Sequence, residues 1–242
     1  MRWIYISPHF DDAALSCGGL IWEQTSKGMP VEIWTVCAGD PPPGLPSTQA
    51  AVIHQIWGFT SAEQAVAARS VENQQAAVIL GAEVVEFSIP DCIYRRSASG
   101  ELLYPEEVFV PIHASEKDLA ADIAYALNSE LQPEDLVVSP LAIGGHIDHH
   151  LVLLAVEQLA LPIRYYSDIP YLLNNPENLV PATLGLKNGS FPISARGLEA
   201  WQRSVAAYSS QILMLFGSVE GMQEAIQKYW EQQHGVYLWS VP

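Results

Sequence analysis

The side chains best able to do chemistry together lie in two short stretches. His9, Asp11 and Asp12 stand within Ser7-Pro8-His9-Phe10-Asp11-Asp12, and three of the seven histidines stand within His146-Ile147-Asp148-His149-His150. Imidazole and carboxylate are ligands for zinc and related divalent metals, and a catalytic zinc keeps three protein ligands and one open position. His9 and Asp12 with one histidine of the second stretch would supply such a set. Asp11 gives the set a catalytic aspect, because a metal lowers the pKa of bound water and a neighbouring carboxylate can take the released proton. Alone, Asp11-Asp12 would read as the acidic start of a helix; the second cluster is what favours a metal centre. His146, His149 and His150 stand at i, i+3 and i+4 and can share one side of a helix start, a spacing that does not choose between His149 and His150. Asp148 reads either as a helix-capping acid or as an acceptor that orients a histidine N–H. His54, His113 and His234 lack clustered acidic partners and read as structural or surface residues.

Both stretches fall where a strand gives way to a helix. Trp3 to Ser7 is a β-rich run ended by Pro8; Ala13 to Lys27 carries apolar residues at helical spacing up to Gly28, and Val31 to Cys37 is a second strand. Strand, helix, strand is the βαβ unit of a parallel sheet, and ligands of such sheets bind beyond the carboxyl ends of the strands. Gly18-Gly19 would let that first helix approach a neighbour closely. Ala38 to Pro46 is too rich in Pro and Gly for a regular element; Trp57 and Phe59 beyond it read as core packing, with a hydrophobic cavity wall as the alternative. Ser61 to Leu80 is a helix, Glu83 to Ser88 a third strand, and Tyr94 to Ser115 an excursion or short hairpin. Glu116 to Leu131 is a helix and Asp135 to Pro140 a fourth strand, which delivers the His146–His150 stretch at the head of an apolar helix reaching Ala160. Pro162 to Tyr166 is a fifth strand, with Asp168 beyond it. Leu172 to Ser194 carries no clear pattern; helices over Arg196–Phe216 and Val219–Gln232 precede a short Tyr237-Leu238-Trp239 extension. The expected fold is α/β, a Rossmann-like, mostly parallel sheet flanked by helices, in a single domain over residues 1–242.

A net charge of −16 opposes nucleic acid and anionic membrane surfaces, because both are bound through Lys and Arg. No apolar run reaches membrane-spanning length and no secretory signal opens the chain, so the expectation is a cytoplasmic protein that does not insert into a membrane. Cys17, Cys37 and Cys92 form neither a CxxC pair nor an even framework and read as buried thiols. No GxGxxG or Walker sequence follows the first strand, which argues against a nucleotide cradle.

Pro8-His9-Phe10-Asp11-Asp12 followed by Cys17-Gly18-Gly19, then His146-Ile147-Asp148-His149, resembles the PIG-L or LmbE-like zinc-dependent N-deacetylases of N-acetylglucosaminyl compounds. The likeness extends through Arg69 and Glu72, Pro90-Asp91 and Tyr208-Ser209-Ser210-Gln211. It implies His9, Asp12 and His149 as metal ligands and Asp11 as general base. It also implies that a protonated His146 stands at the oxyanion or leaving amine, with Asp148 holding and activating it. Arg69 and Asp91 would contact the substrate, a small N-acetylated sugar conjugate. Zn2+ is the expected cofactor, with another divalent ion such as Fe2+ left open, and the apolar composition permits a homo-oligomer. The family usually has Pro at the place of Phe10 and Glu at that of Ala13; neither departure touches an implied ligand. Two histidines and a carboxylate are also the facial triad of non-haem Fe(II) oxygenases, and a metal- or sugar-binding module without activity is the non-enzymatic alternative. The carboxylate beside the water favours hydrolysis over both.

Overall fold

In the computed structural model, which describes residues 1–242, Trp3–Ser7 forms β1, and all five of its residues are buried. Side chains alternate across a strand, and here the alternation divides the core: Trp3 and Tyr5 enter one apolar cluster, Ile4 and Ile6 another. Helices must therefore cover both faces, as in parallel sheets generally. Asp12–Thr25 (α1) leads to β2 (Val31–Thr35), which lies parallel to β1 with Ser7 opposite Thr35. Thr48–Trp57 (α2) and Ala62–Leu80 (α3) precede β3 (Glu83–Glu86). Leu119–Glu130 (α4), β4 (Leu136–Pro140), α5 (Ile147–Val156) and β5 (Ile163–Tyr166) return the chain to the other side of β1.

The seven-stranded sheet has the order β3-β2-β1-β4-β5, completed by two later strands beyond β5. Because β1 pairs in parallel with both β2 and β4, the winding direction reverses between β1 and β4. A crevice opens at the carboxyl ends of the strands at such a switch point, and the turns leaving β1 and β4 are the ones that carry His9–Asp12 and His146–His149.

The C-terminal third departs from the expectation. After the short helices Tyr171–Asn174 (α6) and Leu179–Ala182 (α7), residues Lys187–Pro192 form β6, and the Tyr237–Trp239 segment belongs to a full strand, Gly235–Ser240 (β7). β7 adds antiparallel to β5, and β6 adds antiparallel to β7 as the edge strand. The helix expected over Arg196–Phe216 is two, Ala195–Ala206 (α8) and Ser209–Phe216 (α9), before α10 (Val219–Gln233). The break follows from Glu72, whose carboxylate accepts from the Ser209 hydroxyl (2.8 Å), the Ser210 N–H (2.8 Å) and the Ser210 hydroxyl (2.7 Å) and so starts a new helix. Gly18 and Gly19 serve the close approach of α1: a Cβ on either would lie 2.6 Å from the Trp201 ring or 2.8 Å from Ile193, and the Trp201 indole donates to the Leu15 carbonyl (3.0 Å). No helix is long and apolar enough to cross a membrane. Cys17, Cys37 and Cys92 are free and buried.

Candidate metal centre and active site

Asp11 stands at the head of α1, yet its carboxylate makes no capping hydrogen bond. It accepts instead from Arg69 Nη2 of α3 at 3.2 Å. Asp12 accepts the His9 backbone N–H through Oδ2 (2.7 Å), which folds the turn after Pro8 tightly enough to set both side chains on one side. From β4, Gly145 in the left-handed region (φ 74°) turns the chain into α5. His146 caps α5, its Nδ1 accepting from the Asp148 N–H (3.2 Å).

The two strand ends meet at Asp12. His9 Nδ1 lies 3.3 Å from one Asp12 oxygen and His149 Nε2 lies 3.3 Å from the other. Each imidazole is held through its remaining nitrogen: His9 Nε2 by Asp148 at 3.0 Å, and His149 Nδ1 by Asp168 at 2.7 Å. A carboxylate accepting from one ring nitrogen places the proton there and leaves the lone pair of the other for a metal. His149 Nε2 is buried with no hydrogen-bond partner, whereas His150 is exposed; His149 is therefore the histidine of the second stretch that enters the centre.

Three tests favour a cation here. An orphaned buried imidazole nitrogen is unusual and calls for a partner. Donor atoms about 2.0–2.2 Å from one tetrahedral zinc are about 3.3 Å apart, the separation seen on both sides of Asp12. Five buried carboxylates, Asp11, Asp12, Asp91, Asp148 and Asp168, surround the histidines against two buried arginines, Arg69 and Arg95, and buried negative charge in excess needs a positive partner. The titration behaviour reflects that excess. Burial opposes charging of His149, but Asp12 and Asp168 outweigh it and raise the group to about 9. Burial likewise opposes charging of His9, yet Asp91, Asp12 and Asp148 outweigh it and carry that group upward too. Burial pushes Asp12 up, and the adjacent imidazoles hold it well below the usual carboxylate range instead. His146 brings a ring nitrogen within 4.8 Å of His9 and His149, and Cys92, His146 and Asp148 form a second such group. His146 already uses Nδ1 in its cap, and burial pushes the Cys92 thiol up, away from the thiolate that binds metal.

Asp148 differs from its expected role. Its carboxylate reaches Arg95, the Cys92 N–H (3.0 Å) and His9, and makes no hydrogen bond to His146; only its backbone N–H does that. Asp148 thus steadies a candidate ligand. Burial and the nearby His9 push the His146 pKa well below the ordinary histidine value. A neutral ring accepting at Nδ1 carries its proton on Nε2 and remains a donor. Burial, partly opposed by Arg69, pushes Asp11 up, a shift suited to a proton acceptor.

Arg69 and Asp91 lie beside the centre: Arg69 Nη1 lies 3.8 Å and His9 Nε2 lies 3.7 Å from Asp91 Oδ2. Phe10, unusual at its position, packs under Arg69 with the guanidinium 5.4 Å from its ring centre, and Trp57 covers Arg69 from 4.7 Å. Trp57 thus both packs in a buried cluster and lines the cavity. Asp168 and Arg95 are participants that sequence reasoning missed; each lies just past an element end, and for Asp168 a carboxylate following a strand was the available signal. The cavity over the centre holds about 370 Å³ and is lined by Asp11, Arg69, Asp91 and His146 together with Trp57, Phe109, Tyr171 and Met214.

Comparison with known proteins decides the family. The profile described as "PIG-L: GlcNAc-PI de-N-acetylase" matches residues 4–160. The chain belongs to the PIG-L family. It is 29% identical to a 2′-N-acetylparomamine deacetylase of Niallia circulans, over 98% of this chain and 93% of that one. It is 27% identical to a teicoplanin-biosynthesis deacetylase solved with teicoplanin, TM-score 0.82, over 99% and 97% of the two chains. The N,N′-diacetylchitobiose deacetylase of Pyrococcus horikoshii, 17% identical with TM-score 0.59 over 99% and 82%, shares the fold. The expected mostly parallel α/β sheet is shared with these solved relatives, and each of the three is named a deacetylase.

Proposed function

We propose that residues 1–242 act as one zinc-dependent deacetylase domain that removes the acetyl group from an N-acetylated amino sugar conjugate. The observation that carries this reading is Asp12 shared at 3.3 Å by His9 Nδ1 and His149 Nε2, with Asp11 beside it. His9, Asp12 and His149 would hold the ion, which when bound acidifies a water and polarises the acetamide carbonyl. Asp11, fixed by Arg69, takes one proton from the attacking water. The water oxygen bonds to the carbonyl carbon, and His146 Nε2–H donates to the oxygen on which charge develops. The C–N bond breaks as the proton held by Asp11 passes to the departing nitrogen, giving acetate and a free amine. Asp91 and Arg69 orient the sugar.

The conjugate we propose carries no phosphate. Arg69 is the only arginine or lysine lining the cavity; Asp11 and Asp91 already engage it, and the net charge of −16 repels anions. One relative is named for 2′-N-acetylparomamine and another is solved with teicoplanin, which favours an N-acetylated sugar conjugate here. Acetate release by zinc-loaded protein from 2′-N-acetylparomamine and other N-acetylated sugars tests the reading. Wild type is expected to release acetate, and Asp11→Asn to keep its zinc while kcat falls by about 10²- to 10⁴-fold. Absence of release from every N-acetylated sugar, or full activity in Asp11→Asn, refutes it.

A further inference from the structure

One buried carboxylate near the centre has no part in the chemistry described above. Glu116 closes the short 3-10 turn Ala114–Glu116 and lies buried against Arg95, which also reaches Asp148. The guanidinium thus stands between two acids, and they share it unequally. Arg95 Nε donates to Glu116 Oε1 and Nη2 to Oε2 (3.4 Å), so Glu116 holds the forked edge. Nη1 alone is left for Asp148 Oδ1, with the Pro90 carbonyl as its second acceptor at 3.2 Å.

This division matters because of the other Asp148 oxygen. Oδ2 holds His9 Nε2 (3.0 Å) and accepts the Cys92 N–H (3.0 Å). An arginine whose fork is free gives a carboxylate two parallel N–H bonds. Without the charge of Glu116 the fork would turn to Asp148 and draw on both of its oxygens, leaving Oδ2 a poorer acceptor for His9. A histidine whose carboxylate anchor weakens loses orientation and basicity at the nitrogen that faces the metal. Glu116 is itself fixed, because the Tyr104 hydroxyl donates to its Oε2 and accepts the His113 N–H (2.7 Å). Tyr104, Glu116, Arg95 and Asp148 are all buried, where charges act on one another more strongly than in water.

Resting on the zinc-dependent reading, we propose that Glu116 is a positioning residue for the metal centre. By occupying the Arg95 fork it keeps Asp148 Oδ2 on His9, and so sets how tightly His9 Nδ1 holds the ion. Glu116 does not line the cavity; it acts only through Arg95 and Asp148.

Zinc affinity of the full chain, measured by chelator competition, tests this. Glu116→Gln keeps the shape and removes the charge; it should weaken zinc by about three- to tenfold, less than the roughly 10- to 100-fold of a ligand's direct partner. In an Asp148→Asn background the same substitution should have no further effect, because the chain to His9 is already cut. Glu116→Asp, which keeps the charge, should bind zinc more tightly than Glu116→Gln. Tyr104→Phe loosens the loop but leaves Glu116 on Arg95, and should bind zinc as wild type does. In proton NMR of zinc-loaded protein, Glu116→Gln should move the His9 Nε2–H resonance upfield and leave that of His149 Nδ1–H, anchored by Asp168, in place. Unchanged zinc affinity or an unmoved His9 resonance in Glu116→Gln overturns the proposal. So does an undiminished effect in the Asp148→Asn background, Glu116→Asp binding no better than Glu116→Gln, or an equal loss in Tyr104→Phe. The two readings fail separately: wild type that binds no zinc removes the zinc-dependent reading, whereas one zinc per chain held equally by wild type and Glu116→Gln removes only the role of Glu116.

Discussion

The two sides of the cavity are built on opposite plans. Around the candidate metal centre the polar atoms are tied in pairs: Asp148 to His9 and Arg95, Asp168 to His149 and the Ile143 N–H (3.2 Å), Asp11 to Arg69. Two atoms, His149 Nε2 and Arg69 Nε, are left over. On α2 the pattern differs: the helix is capped by Ser47, and Gln49 Oε1 and Trp57 Nε1 are unpaired but closed off from solvent. A group that must hold an ion or move a proton needs a fixed position before the substrate arrives. The paired groups therefore mark the chemistry here, with His149 Nε2 left for a cation.

Substitutions in the two halves should differ in kind as well as in size. The largest effect is expected from Asp12→Ala, which removes the carboxylate between both imidazoles. Metal analysis should show zinc content falling from one per chain to near none, with acetate release reduced by about 10³-fold or more; retained zinc would break the assignment of the saturated half. Asp11→Asn should separate the functions within that half, losing turnover and keeping metal. Smaller again, Asp168→Asn should weaken zinc by about 10- to 100-fold in a chelator competition, because the His149 tautomer loses its anchor. An unchanged affinity would mean that Asp168 only caps the loop through Ile143. The least effect is expected from Gln49→Met on α2, which should leave zinc content at one per chain; a loss of zinc would blur the contrast between the halves.

The parallel half of the fold is legible in the sequence because its strands are covered on both faces and read as apolar runs. Trp3–Ser7 and Leu136–Pro140 each run into a helix start, and His9 and His149 are recognisable in clusters at their ends. What stays hidden depends on tertiary context. Lys187–Pro192 holds a glycine and a proline and is mostly exposed, and it becomes a strand only because β7 offers an edge. Thr48–Trp57 follows a proline-rich loop that masks its start. Asp168 and Arg95 are single residues whose partners lie 19 and 53 positions away in the chain; no local spacing announces them. Asp148 was visible, but which histidine it holds depends on a ring orientation that sequence does not encode.

The central claim is that His9, Asp12 and His149, rather than the neighbouring Cys92, His146 and Asp148 group, hold the metal. An anomalous difference map recorded at the zinc edge from crystals of zinc-loaded protein tests it most directly. One peak bonded to His9 Nδ1, an Asp12 oxygen and His149 Nε2 is the predicted result. A peak on Cys92 and His146, or none in this cavity, would contradict it.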